Sequence, residues 1–237
     1  MTPNTDIVIP VFGSREFPVE DCLEKCVETV QQHTQNFRFI FVDDGSDEVC
    51  STKINKIAAF FPESNVVRSQ RQRWFTRAVN LGLRLVRTTW AVELNLDVVV
   101  DKGWLDELYD VKDEVEKTVG RVGIVGSQLS GEEPRRYDIT MRTKPPQDYV
   151  TAHALLCNMK AMEEVSYLHG TPGWYFDETT PLNIHIRSDV QLSWDLNHLG
   201  WQTVRSFKSW VGHSGGRSWG HQIGRIPGRL EDVNYKY

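Results

Sequence analysis

Acidic residues that follow buried strands are the most chemically informative feature of this sequence. Asp97 comes shortly after the apolar run 90–94, and Asp43 and Asp44 come directly after the run 37–42. Ligands of open α/β sheets bind at the carboxyl ends of the strands, so carboxylates at these points suit a metal or phosphate site. The alternative for Asp97 is an Asx turn that closes the strand, and the local sequence fits both interpretations.

The spacing of the apolar residues predicts strands and helices in alternation. The predicted strands cover residues 6–12, 37–42, 65–68, 90–94, 122–127, 153–158 and 201–204. The predicted helices cover residues 18–32, 49–60, 75–86, 105–118 and 160–168, and a sixth helix ends at Gly200. This alternation implies an α/β fold with a mostly parallel central sheet flanked by helices. The polar, proline-containing segment 130–149 is expected to be a long loop.

The length and composition fit one globular domain. The chain has 237 residues, of which 40% are hydrophobic and 25% are charged, and this is enough to bury a substantial core. Its four cysteines are too few and too scattered for a disulfide framework or a zinc site. Residues 1–6 lack the basic and apolar parts of a signal peptide, and no apolar run is as long as a membrane span. We therefore expect a soluble, cytoplasmic protein without integral membrane contact.

Basic residues are concentrated in two stretches without acidic residues, although the net charge is −5. The first stretch contains Arg68, Arg71, Arg73, Arg77, Arg84 and Arg87. The second contains Arg205, Lys208, Arg217, Arg225 and Arg229. Local positive charge in an acidic protein indicates a site for a polyanion, whereas the alternative is a set of solvated helix faces. Arg84 fits the alternative, a residue on a solvated helix face.

Several common motifs of α/β enzymes are absent. The sequence has neither the glycine fingerprint of dinucleotide-binding folds nor a P-loop. It also lacks the Gly-x-Ser-x-Gly turn of α/β-hydrolases and the His-Glu-x-x-His helix of zinc proteases. These absences argue against four frequent enzyme classes.

The order of several short motifs resembles that of the GT-A fold glycosyltransferases, specifically family 2. These motifs lie at residues 7–12, 42–46, 78–82, 94–100, 103–105, 176–178, 188–200 and 213–216. Each motif is weak alone, but together they run in register over about two hundred residues of the chain. The resemblance implies a metal-dependent enzyme that moves a sugar from a nucleotide-sugar to an acceptor hydroxyl, with inversion. A UDP-sugar is the expected donor.

The same resemblance assigns the donor and metal sites. Residues that match the donor-binding motifs, or lie near the donor, are Pro10, Val11, Phe12, Asp44, Arg73, Arg77 and Asn95. Asp97 and His213 match the metal-binding positions, and such oxygen and imidazole ligands suit Mn²⁺ or Mg²⁺. The metal motif is Asn-x-Asp instead of Asp-x-Asp, a form that is common in the family but supplies only one carboxylate. The alternative for His213 is stacking on Trp210 or Trp219.

The resemblance also assigns the general base and the acceptor site. Asp189 matches the base, and its alternative role is a helix N-cap. Ser188 stands where the family usually has a glutamate. Trp174, Asp177 and Glu178 would border the acceptor pocket, and their alternative is a capped turn with buried aromatic residues.

These assignments divide the single domain into functional parts. Residues 1–104 form the expected nucleotide-sugar-binding half, residues 105–211 the acceptor-binding half, and residues 212–237 a flexible tail that closes over the donor as a lid. The acceptor is a glycan or small molecule, or alternatively a hydroxymethylated base in DNA. Arginines interleaved with Trp201, Trp210 and Trp219 would suit that second acceptor. A third hypothesis is a non-catalytic module that binds sugar-nucleotides or glycans.

Overall fold

The computed structural model describes residues 4–15, 18–128, 134–140, 149–178 and 188–213. The helices within these ranges are α1 (Glu20–His33), α2 (Glu48–Ala58), α3 (Phe75–Leu83), α4 (Trp104–Thr118), α5 (Met159–Leu168) and α6 (Ser188–His198). The strands are β1 (Thr5–Val11), β2 (Phe37–Asp43), β3 (Asn65–Arg68), β4 (Trp90–Leu94), β5 (Val98–Val100), β6 (Val122–Gln128), β7 (Tyr137–Ile139), β8 (Ala154–Asn158) and β9 (Gln202–His213). In the part of the chain described, no helix has the length and apolar composition needed to cross a membrane.

The strands form one sheet in the order β3-β2-β1-β4-β8-β6-β9-β5, with β7 paired to β9. Strands β3, β2, β1 and β4 are parallel, β8 is antiparallel to both β4 and β6, and β6 is parallel to β9. β5 and β7 are both antiparallel to β9. Six of these nine strands therefore run in one direction, and the α/β fold with a helix-flanked central sheet is confirmed.

Three features of the second half differ from the sequence prediction. The expected loop 130–149 contains β7, and the expected strand 201–204 continues as β9 to His213. β9 is long because β5, which the apolar pattern did not separate from β4, pairs with its end. Gly212 and His213, expected in the tail, are therefore part of the sheet, while residues 214–237 lie outside the described ranges.

The core has two layers because the central strands are buried on both faces. Ile7 and Ile9 of β1 face one layer, which includes residues from α1, α2 and α4. Val8 faces the other layer, which includes residues from α3, α5 and α6. Val8 is the register partner of Glu93 in β4, and register partners on parallel strands point to the same face. Glu93 therefore lies beneath the layer that contains α6.

Gly82 sets how closely α3 approaches the sheet. A Cβ atom at this position would lie 2.8 Å from Val42 Cγ2 and still closer to Val8 Cγ1. We expect Gly82→Ala to lower the free energy of unfolding by about 1–3 kcal/mol, because overpacking exceeds the gain in helix propensity. Urea unfolding measures this change, with the exposed-site variant Lys117→Ala as a control expected to shift it by less than about 0.5 kcal/mol. An unchanged or higher midpoint for Gly82→Ala would contradict this packing.

Candidate active site

The predicted donor residues lie at the edge of the sheet where parallel strands end. β2, β1 and β4 are neighbours, so their carboxyl ends meet at one edge, where α/β proteins bind ligands. The backbone N–H of Asp44 donates to the carbonyl of Val11 over 2.8 Å, which joins the ends of β2 and β1. Pro10 and Val11 are buried there, and Phe12 is half-buried.

The side chain of Asp44 holds the loop that precedes α3. Its buried carboxylate accepts the backbone N–H of Arg73, at 2.9 Å from each oxygen, and that of Trp74 at 2.8 Å. Burial raises the pKa of Asp44 to about 7, although these hydrogen bonds oppose the shift. Gly45, with φ of 78°, lies against the backbone of the same loop, so a side chain would not fit. The structure thus brings Asp44 and Arg73 together, with the Arg73 side chain exposed.

The two predicted metal ligands lie on neighbouring segments. Asp97 is 1% exposed and directly precedes β5. In the β5–β9 pair, Val98 is the register partner of His213, so the His213 backbone lies across from the residue after Asp97. The His213 side chain lies outside the described atoms. Carboxylate oxygen and imidazole nitrogen are ligand types that Mn²⁺ and Mg²⁺ accept.

Within the described ranges, the surroundings of Asp97 add no further metal ligand. Burial and then the charge of Asp97 raise the pKa of Cys26, so this thiol stays protonated. Among the described side chains, no group of three His, Cys, Asp or Glu residues is placed to hold a metal ion. Asn95 is fixed by its backbone, whose N–H donates to the carbonyl of His153 over 3.0 Å. The described side chains around Asp97 therefore do not form a complete metal site.

Asp189 lies at the same edge of the sheet. It is the second residue of α6, so it is not the helix N-cap that the sequence allowed. Its carboxylate accepts the backbone N–H of Val190 at 2.8 Å and that of Ala152 at 3.4 Å. Ala152 comes just before β8, which starts at the carboxyl end of β4. Burial raises the pKa of Asp189 to about 6, against the effect of these hydrogen bonds.

A second carboxyl group, that of Glu93, is buried close enough to Asp189 to respond to its charge. Glu93 is 0% exposed, and neither carboxyl oxygen has a hydrogen-bond partner among the described residues. Burial, and then the charge of Asp189, raise the pKa of Glu93 well above its usual range. The Glu93 carboxyl group therefore keeps its proton to a higher pH than an exposed glutamate does. Glu93 was not among the predicted site residues, although a glutamate inside the apolar run of a central strand is itself a signal.

The segment 174–178 is attached to α3 by Asn80. The buried Asn80 side chain donates to the carbonyl of Phe176 over 2.8 Å and to Glu178 over 2.9 Å, and it accepts the Phe176 N–H at 2.9 Å. Arg77 forms an ion pair of 3.2 Å with Glu178. The structure thus joins Arg77, predicted for the donor, to Glu178, predicted for the acceptor. Asp177 is buried and Trp174 is half-buried.

The same segment contacts α6 through His169. Nδ1 of His169 lies 2.7 Å from the carbonyl oxygen of Trp174, and Nε2 lies 2.9 Å from the carboxylate of Asp195. Burial alone would lower the pKa of His169, but these hydrogen bonds, together with the charges of Asp195 and Asp177, raise it above its ordinary value. Neither His169 nor Asp195 was a predicted site residue, because the sequence does not show that they meet.

With this geometry in view, comparison with known proteins identifies the family. The sequence profile of glycosyl transferase family 2 matches residues 6–165, which is more than half of the chain. The chain belongs to glycosyl transferase family 2. The family resemblance drawn from the sequence motifs is therefore confirmed.

The individual proteins that this chain resembles share low sequence identity with it. The pre-mycofactocin glycosyltransferases of Mycobacterium tuberculosis strains CDC 1551 / Oshkosh and ATCC 25618 / H37Rv are 28% identical over 180 residues, covering 70% of this chain and 35% of theirs. The chain thus spans about a third of the length of the curated relatives it matches. The mannosyltransferase PcManGT from Pyrobaculum calidifontis, solved with GDP-Man and Mn²⁺, has a TM-score of 0.65 and 13% identity, covering 95% of this chain and 61% of that one. This likeness confirms the GT-A fold.

The family 2 domain uses part of its basic stretches for internal contacts. Arg205 pairs with Asp138 at 2.9 Å. Trp201 is only 4% exposed and its indole N–H donates to Glu164 over 2.8 Å, so it is a core residue and does not stack on a DNA base. Trp219 and the basic residues after His213 lie outside the described ranges. The described residues therefore give no specific support to a DNA acceptor.

Removal of the Asn80 side chain tests its role in this family 2 domain. Asn80→Ala would leave Glu178 and two backbone groups of Phe176 without these hydrogen bonds, so we expect the free energy of unfolding to fall by about 1–3 kcal/mol. Asn55→Ala is the matched control, because Asn55 is exposed and its amide donates to the Ser51 carbonyl one turn before it. Denaturant unfolding of both variants measures the difference. Equal effects would show that Asn80 is no more important than a surface asparagine.

Proposed function

We propose that this protein is a metal-dependent, inverting glycosyltransferase that moves a sugar from a nucleotide-sugar to an acceptor hydroxyl, with Asp189 as general base. The observation that carries the proposal is the convergence of Asp44, Asp97 and Asp189 at one edge of the sheet. Both kinds of similar protein support it, since the relatives are named glycosyltransferases and the structural neighbour holds GDP-Man and Mn²⁺.

The proposed residues divide the reaction between them. Asp189 removes the proton of the acceptor hydroxyl as that oxygen bonds to the anomeric carbon from the face opposite the nucleotide, which inverts the configuration. The bond between the sugar and the nucleotide diphosphate breaks at the same time. Asp97 and His213 would hold a divalent cation, which supplies charge neutralisation for the departing diphosphate. A carboxylate with a pKa of about 6 is largely ionised at neutral pH and is a stronger base than an exposed aspartate.

The donor and acceptor sides are proposed from the family resemblance, and the contacts indicate how they meet. Residues 10–12 and the loop held by Asp44 form the donor side, and the segment 174–178 forms the acceptor side, so the ion pair of Arg77 with Glu178 lies at their junction. We place the donor side in residues 1–104 and the acceptor side in residues 105–211. A UDP-sugar is the donor expected from the family, and a GDP-sugar is the donor of the structural neighbour. The acceptor is a hydroxyl of a glycan or small molecule.

A donor panel tests this function directly. The purified protein is incubated with UDP- and GDP-sugars, with Mn²⁺, with Mg²⁺ or with a chelator, and both its melting temperature and the release of nucleotide diphosphate are measured. We expect one donor class to raise the melting temperature only with metal and to be slowly hydrolysed. Metal-dependent binding without any hydrolysis or transfer would support a non-catalytic module, and the absence of binding to every donor would contradict the proposal.

A further inference from the structure

His169 connects three structural elements near the proposed acceptor side. It directly follows α5, and its ring lies between the carbonyl of Trp174 and the carboxylate of Asp195 on α6. The pair is well shielded, since the His169 and Asp195 side chains are 8% and 10% exposed. Gln191, one turn before Asp195 on α6, donates to the other carboxylate oxygen over 2.9 Å and fixes its orientation. The ring therefore has a defined partner at each nitrogen.

Both partners of the ring are hydrogen-bond acceptors. A carbonyl oxygen and an ionised carboxylate have no proton to donate, whereas a neutral imidazole has only one N–H. The neutral ring would thus direct a nitrogen lone pair at one of these two oxygens, at 2.7 or 2.9 Å. Only the protonated ring donates to both. The observed geometry is therefore that of an imidazolium.

We propose that protonated His169 is a positioning residue that fastens the segment 174–178 to α6, the helix that carries Asp189, and that acceptor binding weakens when His169 loses its proton. This inference rests on the proposed function, because it treats that segment as the acceptor side and Asp189 as the base. Asn80 attaches the segment to α3 independently of pH, so His169 controls only the attachment to α6. When the ring is neutral, the segment stays folded, but Trp174 at its start is no longer attached to α6.

The charges around the ring determine the pH range. Asp195 faces His169 from α6, and Asp177 acts on it from the segment itself. Together with the hydrogen bonds they raise the pKa of His169 above its ordinary value of 6.5, in spite of burial. A group with a raised folded-state pKa stabilises the fold fully below its unfolded pKa, and this contribution is lost as the pH rises through the folded-state pKa. The attachment is therefore strongest at acidic pH and weakens as the pH rises through a folded-state pKa that lies above 6.5.

His169 and Asp189 then have opposite requirements. Asp189 must lose its proton to act as a base, which occurs as the pH rises through about 6. His169 must keep its proton to hold the segment. The proposed enzyme is consequently most efficient with its acceptor in a window between the two pKa values, and the profile of kcat/KM is bell-shaped.

The protonation state of the ring is measured first, without any assay of activity. Nitrogen-edited NMR of the full chain is expected to show protons on both ring nitrogens of His169 at pH 6 and one at high pH. Asp195→Asn should shift this titration to lower pH, because the facing carboxylate is removed. A His169 ring that carries a single proton at pH 6, or that titrates identically in Asp195→Asn, would overturn the proposal.

Hydrogen exchange and kinetics then test the attachment. His169→Gln is expected to lower the exchange protection of the Trp174 amide at pH 6 to the value that the wild type reaches only at high pH. It should also raise the acceptor KM about three- to tenfold at pH 6 with the donor KM unchanged, as expected for one lost hydrogen bond. His198→Gln is the matched control, because His198 is an exposed residue of α6, and it should change neither quantity.

Failure of this inference is distinguishable from failure of the proposed function. If no donor is turned over, the proposed function fails, while NMR and exchange still determine whether His169 holds the segment. If transfer occurs and His169→Gln behaves like His198→Gln, the proposed function stands and the role of His169 is refuted.

Discussion

Asp189→Asn is expected to lower kcat by about 10³-fold, since removal of a general base typically costs 10²–10⁴-fold. The amide has nearly the same shape but does not take a proton from the acceptor hydroxyl. Donor affinity should be unchanged within a factor of about two, because the Asp189 carboxylate bonds to the backbone of Val190 and Ala152 within the described part of the chain. The predicted loss is therefore one of turnover alone.

Steady-state kinetics and a donor-dependent thermal shift measure the two halves of this prediction. Asp113→Asn, at an exposed position of α4, is the matched control and should have wild-type kinetics. In the wild type, kcat/KM should rise with pH through about 6 as Asp189 ionises, and the residual activity of Asp189→Asn should lack this limb. Near-normal turnover in Asp189→Asn would remove it as the base.

The strands β1, β2 and β4 of the first half could be predicted because they are buried on both faces, whereas β3 at the sheet edge is only half-buried. Parallel strands covered by helices on each side give continuous apolar runs, and the predicted bounds of β2, β3 and β4 agree with the structure within one residue. β5 and β7 were missed since each has three residues, which is too short for a periodic pattern. Their existence depends on pairing with β9, a distant partner in the chain.

Candidate site residues could be proposed from the sequence where an aspartate comes soon after a strand. Asp44 and Asp97 were proposed as site residues in this way, but the sequence did not show that the Asp44 carboxylate accepts the backbone N–H groups of Arg73 and Trp74. Asn80 was missed for a related reason, because it meets Phe176 across 96 positions of sequence. A polar residue on the apolar face of a helix marks such a contact but does not name its partner.

Asp97→Asn is expected to remove the metal response of donor binding. Its carboxylate is one of the two protein ligands proposed for the cation, and a neutral amide oxygen is a much weaker ligand for Mn²⁺ or Mg²⁺. Stabilisation by a metal ion is worth several kcal/mol in such reactions, so kcat/KM should fall by roughly 10³-fold or more. Thermal shift with the donor and increasing Mn²⁺ measures the binding part, and Asp101→Asn, exposed just after β5, is the matched control.

Substitution of Asp97 and substitution of Asp189 should therefore have different effects on metal-dependent binding and on turnover. Asp189→Asn is expected to keep the metal-dependent thermal shift and lose turnover, whereas Asp97→Asn loses both. General destabilisation by either substitution would lower the melting temperature without donor, which is measured in the same experiment. An unchanged Mn²⁺ response in Asp97→Asn would show that this aspartate only closes the strand, and the metal would then have to bind elsewhere.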